Sequence, residues 1–133
     1  MIGISTSGRG RTFSTLLLVC LLALAAVAYG SKAKTEVDLQ VAPQDGGSYR
    51  YTVTVKSSKA KCVEGRKVRI YHDENNNKRF DPGEYTIAKG ETDADGLFES
   101  ETNVIPPAGD GIGVEVKKTK KCKAGRDWGV VED

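Results

Sequence analysis

Almost nothing in this chain reads at helical period, it has a single histidine, and only three cysteines are spread over its 133 residues. Each scarcity excludes something. Without a 3.6-residue apolar period there is no basis for a helical bundle or a doubly wound α/β core. His72, alone and without a serine elbow, a free nucleophilic cysteine or a zinc spacing, makes no case for a hydrolase. Carboxylates are plentiful but fall in turn-rich segments, with no pocket behind them for a glycosidase pair. The lysine runs carry no interleaved aromatics and no base-reading motif, so no specific nucleic acid is expected as partner. The sequence is therefore read as non-catalytic.

What is present begins with an export signal. Arg9 and Arg11 are the only charges before Lys32, and they precede thirteen unbroken apolar residues, Leu16 to Ala28. That length suits the hydrophobic region of a signal peptide, whereas a membrane-spanning helix wants about 20 residues. Small residues at Ala26, Ala28 and Gly30 offer cleavage frames, so residues 1–30 are read as signal peptide and 31–133 as one domain. The competing reading is an uncleaved anchor extended through Thr15 and Tyr29. Cys20 lies in mid-run behind Leu18 and Val19, which does not suit a lipoprotein signal, and Gly10 splits the arginines, which does not suit twin-arginine export. After cleavage no transmembrane span remains, and the expected location is secreted or on the cell surface.

Cleavage also changes the chemistry of what is left. Two of the 20 basic residues leave with the signal, so 18 face 18 acidic residues and the remaining chain is near neutral. Cys20 leaves too, and Cys62 and Cys122 remain in a compartment where disulfides persist. They are expected to pair, the alternative being two free thiols. On the chain-entropy model, closing a loop of about 60 residues stabilises the fold by about 4 kcal/mol.

Period-two alternation recurs along the chain. Tyr49, Tyr51, Val53 and Val55 share one face; Val37, Leu39 and Val41 do the same, as do Val68 with Ile70, and Ile112, Val114 and Val116. Shorter runs around Tyr85 and Ile87, Leu97 and Phe98, and Trp128 to Val131 bring the candidates to seven strands. Turn chemistry separates them at Gln44–Gly47, Asp81–Gly83, Asp93–Gly96 and Pro106–Gly111, and Asp95-Gly96 is a hairpin signal. The expected fold is all-β, a seven-stranded antiparallel immunoglobulin-like sandwich behind the signal peptide.

Four stretches resemble a known group: Cys62-Val63-Glu64-Gly65-Arg66-Lys67-Val68, Gly90 through Phe98, Val114 through Lys118, and Lys121-Cys122-Lys123-Ala124. Over residues 50 to 126 they resemble small secreted bacterial β-sandwich domains similar to the carboxypeptidase-regulatory and transthyretin-like superfamily. The resemblance implies an extracellular sandwich with a cysteine staple and no intrinsic catalysis, and it brings no active-site residues.

Asp73 to Glu84 is the most informative segment. Calcium needs six to eight oxygens, and a loop with oxygen side chains at alternate positions, closed by a carboxylate, can supply them. In the register of an EF-hand loop, Asp73, Asn75, Asn77, Asp81 and Glu84 stand at positions 1, 3, 5, 9 and 12, and Arg79 at position 7 gives its carbonyl. The segment also resembles the Asp-Asn-rich loops of repeat domains in bacterial surface adhesins. Lys78 departs from the pattern at position 6, where glycine makes the sharp turn, and the flanks read as strands. With three carboxylates the expected affinity for Ca²⁺ is about 10⁻⁴ to 10⁻³ M. The alternative is a solvated turn whose polar side chains bond their own backbone. Asp93 and Asp95 would add ligands if their turn lay near.

Lysines crowd both cysteines: Lys59 and Lys61 before Cys62, and Lys118, Lys120, Lys121 and Lys123 around Cys122. A disulfide would merge the two runs into one positive patch, able to meet an acidic polysaccharide or lipid headgroups. The alternative is a solvated face that keeps strand edges apart. An interaction with another surface protein is the remaining partner class. If the cysteines pair, the exported protein keeps its mass on alkylation without reduction; a gain of two alkyl groups would show free thiols.

Overall fold

The computed structural model describes residues 31–133, and the expected signal segment, residues 1–30, lies outside the described residues. Seven strands follow in order: β1 (Glu36–Pro43), β2 (Tyr49–Lys56), β3 (Lys67–Asp73), β4 (Thr86–Glu91), β5 (Leu97–Thr102), β6 (Gly111–Val116) and β7 (Gly125–Val130), with a 3-10 turn at Ala60–Cys62. They form two antiparallel sheets, ordered β1-β2-β5 and β4-β3-β6-β7. This is the all-β, seven-stranded, two-sheet architecture that the alternation predicts. Among the described residues no helix is long and apolar enough to cross a membrane.

The core lies where the inner faces of the two sheets meet. Tyr51, Val53 and Val55 of β2 pack with Val68 and Ile70 of β3 and Ile112, Val114 and Val116 of β6. Full burial of each aliphatic side chain stabilises the fold by roughly 1.5–3 kcal/mol. Val37, Leu39 and Val41 stay partly buried, because β1 is an edge strand. That edge is closed by a side chain from the other sheet: the Asp127 carboxylate accepts the Leu39 amide at 2.8 Å. A capped amide of this kind removes one site at which a foreign strand could pair.

Two details differ from the sequence reading. β7 begins at Gly125, three residues before the expected Trp128, because β6 extends to Val116 and offers Gly125 a ladder partner. Gly125-Arg126-Asp127 has no alternation to betray it, so the pairing comes from the neighbouring strand. The Asp93–Gly96 turn is also no hairpin. It joins β4 to β5, which lie in different sheets.

Its chemistry serves that crossing. Asp93 Oδ1 accepts the Asp95 and Leu97 amides, both at 2.9 Å, and Gly96 alone takes a left-handed φ of 82°. The Gly96 carbonyl then accepts the Val55 amide of β2 at 2.8 Å. A Cβ at Gly96 would sit 2.2 Å from the Val55 carbonyl oxygen and 2.8 Å from Val63 Cγ1. The replacement Gly96→Ala therefore combines a disfavoured φ with a backbone clash, and a loss of about 2 kcal/mol or more is expected. Urea denaturation followed by circular dichroism measures it, and an unchanged midpoint would contradict this account.

Candidate functional site

Asp73 is the last residue of β3, paired with Gly111 of β6, and its side chain is fully buried. Burial of a carboxylate requires donors. Oδ2 accepts the Lys78 amide at 2.7 Å and the indole Nε1 of Trp128 at 2.8 Å, while Oδ1 accepts the Asn77 amide at 3.2 Å. The chain wraps back on Asp73 by passing through left-handed φ at Asn76 (56°) and Lys78 (65°). Lys78 thus holds the turn that glycine ordinarily makes at position 6, and its ammonium lies 4.9 Å from the centre of the Trp128 ring.

The rest of the segment is tied together by its own polar groups. The Asp81 carboxylate accepts the Asn75 amide group at 3.2 Å and that of Asn77 as well. These two donors hold the Asp81 carboxyl below the usual carboxylate range. Glu84 Oε1 accepts the Glu74 amide at 3.2 Å and Oε2 the Asp81 amide at 2.8 Å, so position 12 closes the loop over its second and ninth residues. Asn75 Oδ1 accepts the Asn77 amide at 3.1 Å and Asn77 Oδ1 the Arg79 amide at 2.9 Å. The sequence-predicted residues are thus brought into one hydrogen-bonded loop. Among the described residues, however, no three acidic, histidine or cysteine side chains gather as a metal cluster. Asp81 and Glu84 face backbone and amide donors, and Asp73 faces Trp128.

Sequence reasoning misses three participants. Trp128 comes from β7, Asn76 donates to the Gly109 carbonyl at 3.2 Å, and Gly111 leaves room for both. A Cβ on Gly111 would lie 2.6 Å from Trp128 Nε1 and 2.7 Å from Asn76 Oδ1. No local pattern marks Trp128 and Gly111, because they reach Asp73 through the β3-β6-β7 ladder, and Asn76, at an even loop position, falls outside the alternate spacing of ligands. Asp93 and Asp95 lie at the opposite end of β4 and stay turn-formers, since Glu91 pairs with Lys67 at the start of β3. His72 is a strand-end residue, buried, with Nε2 2.7 Å from Asp110 Oδ2 and its ring against Tyr85.

At the other end, Cys62 and Cys122 form a disulfide with Cα atoms 5.6 Å apart. Ala33 bridges to Cys122, donating to the Lys121 carbonyl at 3.1 Å and accepting the Lys123 amide at 2.8 Å. Beneath the disulfide lies Arg66, 1% exposed and without a carboxylate. Its guanidinium donates to Thr35 Oγ1 (3.0 Å) and to the carbonyls of Cys62 (2.7 Å), Lys117 and Lys123 (both 2.9 Å), while Nε finds no acceptor. Desolvation pushes its pKa down. The Lys59, Lys61, Lys118, Lys120, Lys121 and Lys123 side chains all stand exposed around this point.

No protein-family model matches the chain, and no curated protein matches it. The loop itself yields a test. Replacing Trp128 with Phe keeps most of the half-buried ring and removes one donor from the buried Asp73 carboxylate. Hydrogen bonds to charged groups contribute about 1.5–3 kcal/mol, so a loss of that size is expected in chemical denaturation. A change under about 0.5 kcal/mol would show that the indole donor does not hold the carboxylate.

Proposed function

We propose that this chain is a non-catalytic, exported β-sandwich module that acts through its surface, as an accessory or interaction domain, with a calcium ion closing the Asp73–Glu84 loop. One observation carries the calcium reading. Asp73 accepts the amides of the fifth and sixth loop residues while Lys78 holds φ at 65°, which is the wrapped turn a calcium loop needs, made here without glycine.

The charge balance of the loop supports the same reading. Asp73, Asp81 and Glu84 rest on N–H donors, and among the described residues none of them has a Lys, Arg or His nitrogen within 4.0 Å. Three ligand carboxylates without an ion pair, in a segment of four acidic and two basic residues, suit a divalent cation. Side-chain oxygens of Asp73, Asn75, Asn77, Asp81 and Glu84, with the Arg79 carbonyl, would hold it. Binding requires Asn75 and Asn77 to turn their amide oxygens toward the ion, giving up the bonds those oxygens now accept from the Asn77 and Arg79 amides, which the ion's coordination would have to offset. The ion would supply the neutralisation that the amides now provide in part.

The non-catalytic part is supported by one hollow of about 460 Å³, lined by Val41, Pro43, Ile105, Ile112, Val130 and Val131 together with Tyr49 and Glu132, a mostly apolar set with a single charged side chain. His72 is engaged by Asp110. The likeness to the carboxypeptidase-regulatory and transthyretin-like superfamily fits a stapled extracellular sandwich and is part of this proposal.

Calorimetry with calcium provides the test. At about 10 mM calcium and a Kd of about 10⁻⁴ to 10⁻³ M, binding to the native state alone adds about 1.4–2.7 kcal/mol of stability and raises Tm. Asp81→Ala should abolish the rise while leaving a folded domain. No heat and no rise in Tm would remove calcium from the proposal.

A further inference from the structure

The end of the sandwich opposite the loop carries a run of like charge. Lys59, Lys61, Lys118, Lys120, Lys121 and Lys123 are exposed there, and among the described residues none of them lies within 4.0 Å of a carboxylate. Side chains that repel one another normally spread apart or recruit counter-charges. Here the disulfide and the bridge from Ala33 to Cys122 hold their backbones together. Lys61 and Lys121 come close enough for Lys121 to push the Lys61 pKa down. Below them the buried guanidinium of Arg66 adds a positive charge that no acid offsets. Glu64 is the one acidic residue within the Lys59–Lys67 stretch.

A hollow beside this face has the size for a small anionic group. It measures about 310 Å³ and is lined by Gly65, Lys67, Lys117, Lys118 and Thr119. Lys67, Lys117, Lys118 and Thr119 stand in its lining with no acidic residue among them, a set whose charge suits a phosphate. No aromatic side chain stands in the hollow to offer a sugar ring a stacking platform; Trp128 and Tyr85 belong to the far end, beside Asp73 and His72.

We propose that the lysine face around Cys62–Cys122 docks on an anionic lipid surface, with a headgroup phosphate in the hollow between Lys67, Lys117 and Lys118. This reading does not depend on calcium at the loop. Each lysine near an anionic surface adds to its attraction and the sum is screened by salt, so six lysines give salt-sensitive binding.

The test is sedimentation of the exported protein, disulfide intact, with vesicles of phosphatidylglycerol and phosphatidylcholine and with vesicles of phosphatidylcholine alone. Binding to the anionic vesicles alone, lost at high salt and unchanged by chelator, is expected. Lys120→Glu with Lys121→Glu should weaken it at least ten-fold, while Lys89→Glu on β4 leaves it unchanged, both variants keeping the native circular dichroism. Equal binding to neutral vesicles, no binding at low salt, or an unaffected double variant overturns the proposal. Retention on immobilised heparin without vesicle binding also overturns it and assigns the face to an acidic polysaccharide. A failed calcium titration bears on the loop alone.

Discussion

The domain is organised around two buried charges at the two ends of β3 that never meet. Arg66 immediately precedes the strand and Asp73 ends it, and at about 3.3 Å per residue they stand roughly 23 Å apart. Neither has an oppositely charged partner among the described residues. Each is held by uncharged groups instead: Arg66 by three carbonyls and a hydroxyl, with its Nε left without an acceptor, and Asp73 by two amides and an indole. A buried charge held this way is costly to disturb, because each lost contact leaves part of it bare. The surrounding segments are therefore fixed to positions that keep those contacts. At one end these are the Ala33 bridge, the Cys62 turn and the Lys117–Lys123 connection; at the other, the loop after β3 and the indole of β7.

This arrangement gives a nearly neutral domain two ends of opposite sign. The Asp73 end gathers carboxylates held mostly by N–H donors, and the Arg66 end gathers lysines that, among the described residues, have no carboxylate within 4.0 Å. Between them the two sheets interlock around Val53, Ile70 and Val114, all fully buried. Chemistry is thereby pushed to the two poles. A cation is the natural complement of one pole and an anionic surface of the other, which is how the proposed calcium loop and the proposed lipid-facing lysines arise from a single strand. The disulfide contributes differently. It narrows the unfolded ensemble and keeps like charges in one place that would otherwise separate.

Much of the sandwich was legible from the residues because a half-buried strand writes its burial into every second side chain. Tyr51, Val53 and Val55 alternate in sequence as they alternate in space, and the seven strands and the cysteine pairing follow from that pattern and from cysteine arithmetic. Asp73, Asn75, Asn77, Asp81 and Glu84 could be picked out because loop ligands follow a local spacing. The left-handed turn at Lys78 could not, since the residue type opposes it and only the amide contacts to Asp73 impose it. Asp95-Gly96 shows the converse: the dipeptide marks a tight turn, while the choice between a hairpin and a passage between sheets depends on which strands stand ready to pair.

The sequence by itself determined the export segment as an expectation, the all-β class, the pairing of Cys62 with Cys122 and the composition of both poles. These depend on composition, local period and count. Tertiary structure alone decided that Trp128 caps Asp73, that Arg66 is buried beneath the disulfide, and that β7 starts at Gly125. The physical reason is common to all three. Each is a contact between segments far apart in the chain, made to satisfy a donor or acceptor that burial has cut off from water, and only the folded sheet order settles which group will be near enough.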